Sequence, residues 1–246
     1  VVQRTPALAI LASLAVGMAM FGGAVFLGQY FQIGRGYTPT EAGLLTMPLM
    51  AGVLVSSTVS GRLISRTGRI KPYIVAGTIV LVLGFLGLGT VDHGHRIAMA
   101  VVGVGVGMTM QNLVLAVQND VPLRDLGAAS ASVTFFRSLG GTIGVSVLGA
   151  VLANRVSADL AAALHVPAGQ AATGGVSALN LKALPPQVQT VVHTVYGDAT
   201  AHIFLISAAV AVVGVIAALL LKPITLRTTI DLDKTAEPAA PEPAAR

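Results

Sequence analysis

Long uncharged runs, broken by short polar or basic clusters, set the organisation of this chain. Residues 5–34 carry no charge and are flanked by Arg4 and Arg35; residues 42–61 and 72–91 are two further uncharged runs of twenty. A helix needs roughly 20 mostly apolar residues to cross about 30 Å of hydrocarbon. The first run predicts a spanning helix over residues 8–31. Thr38-Pro39-Thr40-Glu41 reads as a capping box with proline at the first helical position. It predicts the start of a second helix, 42–60, running through Pro48. The third is predicted at 72–90. The polar stretch Asp92-His93-Gly94-His95-Arg96 separates it from a fourth, 97–119, and the turn at 120–125 leads into a fifth, 126–153. Residues 154–200 are rich in Ala, Gly, Pro and polar side chains and hold no apolar run long enough to span, so they read as a long outer loop. A sixth span at 201–221 ends at Lys222-Pro223 and closes a six-helix bundle over residues 1–227. Residues 228–246 are of low complexity and read as a disordered tail.

The fold class is therefore an all-α membrane protein with six transmembrane helices. Composition strengthens this: 54% of the 246 residues are hydrophobic and only 10% are charged, against about a quarter in soluble domains. Six spans put both termini on one side. Lys and Arg near the span ends divide eight to four: Arg4, Arg62, Arg66, Arg69, Lys71, Arg124, Lys222 and Arg227 against Arg35, Arg96, Arg155 and Lys182. The positive-inside bias predicts a multi-pass protein of the plasma (inner) membrane. Both termini, the tail and the basic turn at 61–71 are then cytoplasmic, and 154–200 lies outside. The net charge of +5 might suggest nucleic acid, but the basic residues sit in short loops, aromatics are 4% and Trp is absent, so no nucleic-acid partner is predicted. Without Cys, disulfides, thiolate metal sites and Cys nucleophiles are excluded. The chain opens on Val1-Val2 with no signal-peptide pattern, and its N-terminus reads as a cut point inside a longer protein.

Lipid is as apolar as leucine, so spanning helices associate through small residues and polar side chains. The fourth helix aligns Gly103, Gly107, Gln111 and Gln118 on one stripe, and the fifth aligns Ser130, Thr134, Arg137, Gly141 and Gly144. Gly140 and Gly144 form a small-xxx-small pair. The first helix lines up Met18, Gly22, Val25, Gln29 and Gln32. Gly103-Val104-Gly105-Val106-Gly107 lacks the spacing of a dinucleotide-binding loop and lies mid-span, so it reads as helix packing. Arg137 lies about 17 Å from the start of its helix at 1.5 Å per residue, too deep to snorkel easily. It is either a structural arginine bonded to neighbouring helices or a cavity arginine that meets an anionic substrate or a titrating carboxylate. Together Gln29, Gln32, Gln111, Asn112, Thr134 and Arg137 are the candidate substrate-cavity residues. All ten Asp and Glu fall in the predicted loops or tail, so no intramembrane carboxylate is available for proton coupling. Gln29-Tyr30-x-Gln32 reads equally as an outer gate or as interfacial anchoring by Tyr30. His93 and His95 offer two metal ligands without a third, so no metal site is predicted. No H-E-x-x-H, G-x-S-x-G or P-loop occurs, and enzyme readings have no motif to rest on.

Residues 61–71, G-R-L-I-S-R-T-G-R-I-K, resemble the basic loop motif of the major facilitator superfamily, roughly G-x-x-x-D-[RK]-x-G-[RK]-[RK], between the second and third helices of each six-helix half. Residues 115–144 and 29–43 resemble the C-terminal half of its drug:proton antiporter branch with fourteen spans, the EmrB/QacA type. The resemblance implies a secondary transporter exporting drugs or other small hydrophobic or amphipathic molecules by alternating access. It implies the proton as coupling ion and no cofactor. The implied partners are the N-terminal transmembrane half of the same protein, the lipid bilayer and a small-molecule substrate. The competing readings are a membrane scaffold or sensor, and a fragment inactive without its other half. The loop positions are Gly61, Arg62, Ser65, Arg66, Gly68, Arg69 and Lys71. Ser65 stands where the motif has its acid, and Asp120 or Asp125 is expected to pair with Arg66 or Arg69 instead. Gly140, Gly141 and Gly144 resemble the family's glycine-rich antiporter motif without its proline, which implies close helix packing.

Overall fold

The computed structural model describes residues 4–90, 95–164 and 186–223, and its regular elements there are helices. Helix α1, Arg4–Gln29, continues into a π-helical turn, Tyr30–Gly34; it is followed by α2, Pro39–Leu45, and α3, Met47–Thr67. Then come α4, Lys71–Thr90; α5, His95–Asp120; a 3₁₀ turn, Leu123–Asp125; α6, Leu126–Leu164; and α7, Pro186–Leu220. Among the described residues six helical stretches are long and apolar enough to cross a membrane, with α2 and α3 together forming the second.

Local chemistry accounts for most boundaries. Thr38 caps α2 as the sequence predicts: its hydroxyl accepts from the Glu41 N–H, and the Glu41 carboxylate accepts from the Thr38 N–H at 2.8 Å. The predicted 42–60 helix is not continuous. It breaks at Thr46 because Pro48 has no N–H to donate to Leu44 and its ring crowds that turn. It also runs on to Thr67, so Arg62, Ser65 and Arg66 are helical and only residues 68–70 form the turn. Gly68 ends α3 in the left-handed conformation, φ 68°, with its N–H on the Ile64 carbonyl at 2.8 Å.

The predicted outer loop 154–200 is largely corrected. Helix α6 continues to Leu164 and α7 begins at Pro186, so residues 154–164 and 186–200 are helical. At 1.5 Å per residue, α6 and α7 measure about 58 and 52 Å, well beyond about 30 Å of hydrocarbon. Asp159 and Asp198 therefore sit on helices, as does Glu41 on α2, rather than in loops. Residues 165–185, residues 91–94 with His93, and the predicted tail 228–246 lie outside the described residues.

The helices form a layered bundle. Helices α4 and α7 pack on each other and behind α5 and α1, with Phe85 and Phe204 stacked at 6.4 Å between them. On the other face α3 packs chiefly on α5, and α6 chiefly on α1. Backbone approach sets these contacts. A Cβ on Gly103 would overlap the Leu49 carbonyl, and one on Gly107 would overlap the Ser56 hydroxyl, closing α5 on α3. A Cβ on Gly140 would overlap the Leu14 carbonyl, one on Gly144 would fall 2.6 Å from Met18, and one on Gly141 would strike the Phe21 ring at 2.5 Å, closing α6 on α1. The five glycines assigned to helix packing, Gly103, Gly107, Gly140, Gly141 and Gly144, thus lie at helix contacts. Gly17 and Gly52 complete the same two seams from the partner helices, opposite the Arg137 and Ala100 carbonyls.

Candidate functional site

Two polar levels can be built from these elements. The first is at mid-bundle. Arg137 is 5% exposed, and its Nη2 donates to the Met110 carbonyl of α5 at 3.0 Å. Its Nε is buried and has no hydrogen-bond partner. Among the described residues no carboxylate pairs with it. Removing a guanidinium from water without a counter-charge costs several kcal/mol. This level is where the bundle carries that cost.

Three of the other predicted cavity residues share this region. Gln111, next to the carbonyl that Arg137 holds, is exposed. Asn112 is buried and donates to Met108 of its own helix. Thr134 is exposed and donates to the Ser130 carbonyl one turn back. Nearer the basic end, Gln118 of α5 donates to the Ser130 hydroxyl of α6 at 2.8 Å, so these two stripe residues do meet.

Gln29 and Gln32 belong to the second level. Gly17 faces the Arg137 backbone, and Gln29 lies twelve residues further along α1, about 18 Å away. The six predicted residues therefore do not converge on one cavity. Gln29 accepts from the Tyr196 hydroxyl of α7 at 2.8 Å, while Gln32 is exposed on the π turn. Around them His193 Nδ1 meets the Ile33 carbonyl at 2.7 Å, and Arg35 Nε donates to the Tyr30 hydroxyl at 2.8 Å. A pocket of about 340 Å³ opens here, lined by Tyr30, Arg35, Thr90, His193, Thr194 and Asp198 among others. A small apolar core of Phe26, Leu148, Leu152, Val156, Tyr196, Ala199 and Ile203 supports it.

Sequence reasoning missed His193, Tyr196 and Asp198 because they fell in the supposed loop. A signal was present. Val192, Tyr196, Ala199 and Ile203 are apolar at helical spacing, and Pro186 stands at the first helical position.

The basic-loop residues sit at the opposite end. Ser65 bonds back to the Gly61 carbonyl at 2.9 Å, and Lys71 Nζ caps α7 by donating to the Leu219 carbonyl at 2.7 Å. The expected pairing of Asp120 or Asp125 with Arg66 or Arg69 is not formed. Asp125 approaches its neighbour Arg124 at 3.6 Å, and among the described residues no ion pair joins Arg62, Arg66 or Arg69 to an acid. The short 3₁₀ turn holds Asp125 beside Arg124 on an exposed corner. Among the described residues no group of three His, Asp or Glu converges as a metal site requires.

Residues 1–145 match the family model described as Major Facilitator Superfamily. Over 222 residues the chain is 36% identical to an uncharacterized MFS-type transporter of Mycobacterium tuberculosis, an alignment covering 87% of this chain and 32% of that protein. It is 37% identical over 142 residues to the multidrug transporter protein MdtP of Bacillus subtilis, covering 56% of this chain and 26% of that protein. It is 31% identical over 160 residues to a tetracycline resistance determinant of Streptomyces rimosus, covering 63% and 46%. The chain thus spans about a third of the length of the first of these relatives and less than half of the others.

Proposed function

This chain belongs to the major facilitator superfamily, and from that premise we propose that it is the C-terminal six-helix half of a secondary transporter exporting drugs or other small amphipathic molecules in exchange for protons. Two relatives bear names of multidrug transport and tetracycline resistance, which supports the export reading. The observation that carries it is Arg137. A central arginine costs about 2.5–3.5 kcal/mol to insert, and this one has a buried donor with no partner beside the exposed Gln111. A cavity shared with a second bundle gives that guanidinium water, substrate or a titrating carboxylate to meet.

Our reading places the proton-binding acid in that second bundle, within the fourteen-span architecture of the EmrB/QacA type. Asp159 and Asp198 ride on the overhanging parts of α6 and α7, away from the Arg137 level. The amides around Arg137 suit neutral, zwitterionic or anionic substrates, and among the described residues no acid pairs with it to recognise a cation.

The test is efflux of an amphipathic antibiotic from cells expressing the full-length protein. Efflux is expected to collapse with a protonophore, and in Arg137→Ala at unchanged membrane abundance. Efflux that survives loss of the proton gradient overturns antiport. Sidedness is checked in the full-length protein with any cysteine outside these residues replaced by serine, because these 246 residues contribute none. With both termini cytoplasmic in the plasma membrane, an impermeant thiol reagent added outside labels Thr194→Cys and spares Arg66→Cys. The reverse pattern inverts the topology.

A further inference from the structure

Beside the start of α4, where Pro223 follows the end of α7, lies a groove of about 740 Å³ that the transport reading does not use. Its mouth holds Arg69 and Lys71, and its walls are apolar, with Pro72, Val75 and Ile79 of α4 and Pro223 beyond α7. Among the described residues no acidic side chain lines it. The α4 wall follows one helix stripe, because steps of three, four and seven share a face. Beyond the groove the stripe continues outward through the exposed Leu83, which is 58% accessible. From Pro72 to Leu83 it rises about 16 Å, close to half of a hydrocarbon core about 30 Å thick.

We propose that this groove is a binding site for one anionic membrane phospholipid, with the headgroup phosphate on Arg69 and Lys71 and an acyl chain along Pro72, Val75 and Ile79. The charge argument has three parts. Arg62, Arg66 and Arg69 have no ion pair among the described residues, and Lys71, which gives one N–H to the Leu219 carbonyl, has two further donors for a ligand. Arg69 is exposed at the mouth, and a guanidinium forms paired hydrogen bonds to phosphate oxygens. The groove opens above the first turn of α4, whose dipole adds positive potential, while the Lys71 ammonium on the Leu219 carbonyl offsets the negative end of α7 at the same place. Basic pockets at the edges of spanning helices favour anionic headgroups for these reasons, and the apolar wall selects a lipid over a soluble phosphate. The argument holds for either leaflet and does not depend on the transported substrate.

Native mass spectrometry of the detergent-purified protein tests the site, with phosphatidylglycerol, phosphatidylcholine or inorganic phosphate added separately. Phosphatidylglycerol is expected to be retained about tenfold more than phosphatidylcholine, whose choline cation, carried on the same phosphate, is repelled by the basic cluster. Inorganic phosphate alone is expected not to bind. Arg69→Gln should cut phosphatidylglycerol retention about tenfold, and it leaves the Lys71 cap of α7 in place. Ile79→Trp, which fills the furrow without altering charge, should do the same. Equal retention of the two lipids, binding of inorganic phosphate to the same extent, or unchanged retention in both variants overturns the proposal.

Discussion

Along α1, the contact with α6 changes character between Gly17 and Phe26. At Gly17 and Gly140 backbone lies against backbone, each helix giving up a side chain so that the other's carbonyl can approach. At Phe26 the space is instead filled, by the phenyl ring against Leu148 and Leu152, while Tyr196 reaches from α7 to Gln29. The difference follows from surroundings. In mid-bilayer lipid competes equally for apolar side chains, so close backbone approach yields more attraction than larger residues do. Toward the end of the span, where Gln29 and Tyr196 bring polar groups to the helix contact, aromatic filling beside paired polar side chains becomes the better glue.

Four substitutions sharpen this contrast. Gly140→Leu forces a side chain into the Leu14 carbonyl and should cost about 3 kcal/mol of stability, read as a fall in Tm of the purified protein. If Gly140→Leu folds as well as the parent, the seam is looser than described. Arg137→Met should raise stability by about 1–2 kcal/mol, because it removes a buried charge with an unpartnered donor, while transport is lost. A fall in stability there identifies Arg137 as a structural tie to Met110 and sinks the cavity reading. Tyr196→Phe should cost about 1 kcal/mol, one hydrogen bond to Gln29, with no change at mid-bundle. Lys71→Met removes the cap from the last turn of α7 and should cost about 0.5 kcal/mol, a loss that salt also produces in the parent.

The mid-bundle half of this contrast was legible in the sequence, and the far-end half was not. Gly103, Gly107, Gly140 and Gly144 recur at steps of four, and that spacing has one structural use in an apolar helix. Their opposite numbers, Gly17 and Gly52, have no glycine four residues away and become legible only through the carbonyls they face. The far end was lost because a bilayer-length criterion reads how far a helix stays apolar, not how far it stays helical. Residues 157–164, S-A-D-L-A-A-A-L, are good helix formers that no lipid has to accept. Of the site, Arg137 was found from its charge and depth. Gln29 and Gln32 were grouped with it because face was counted along each helix and height between helices was not. The acid expected to meet Arg66 was misplaced because the Leu123–Asp125 turn ties Asp125 to its own neighbour.

The π turn at Tyr30–Gly34 has a consequence for insertions and deletions in this gene segment. A π turn holds one residue more than the α-helical path needs, and the Tyr37 N–H reaches back to the Phe31 carbonyl at 3.0 Å to close the excess. Loss of a single codon within 30–34 would return the stretch to α-helical bonding while Thr38 kept its capping box. The same loss at Gly17 or Met20 would rotate every later residue of α1 by about 100° and carry Phe26 off its partners. Single-codon deletion scanning of α1 is therefore expected to tolerate this one turn and little else.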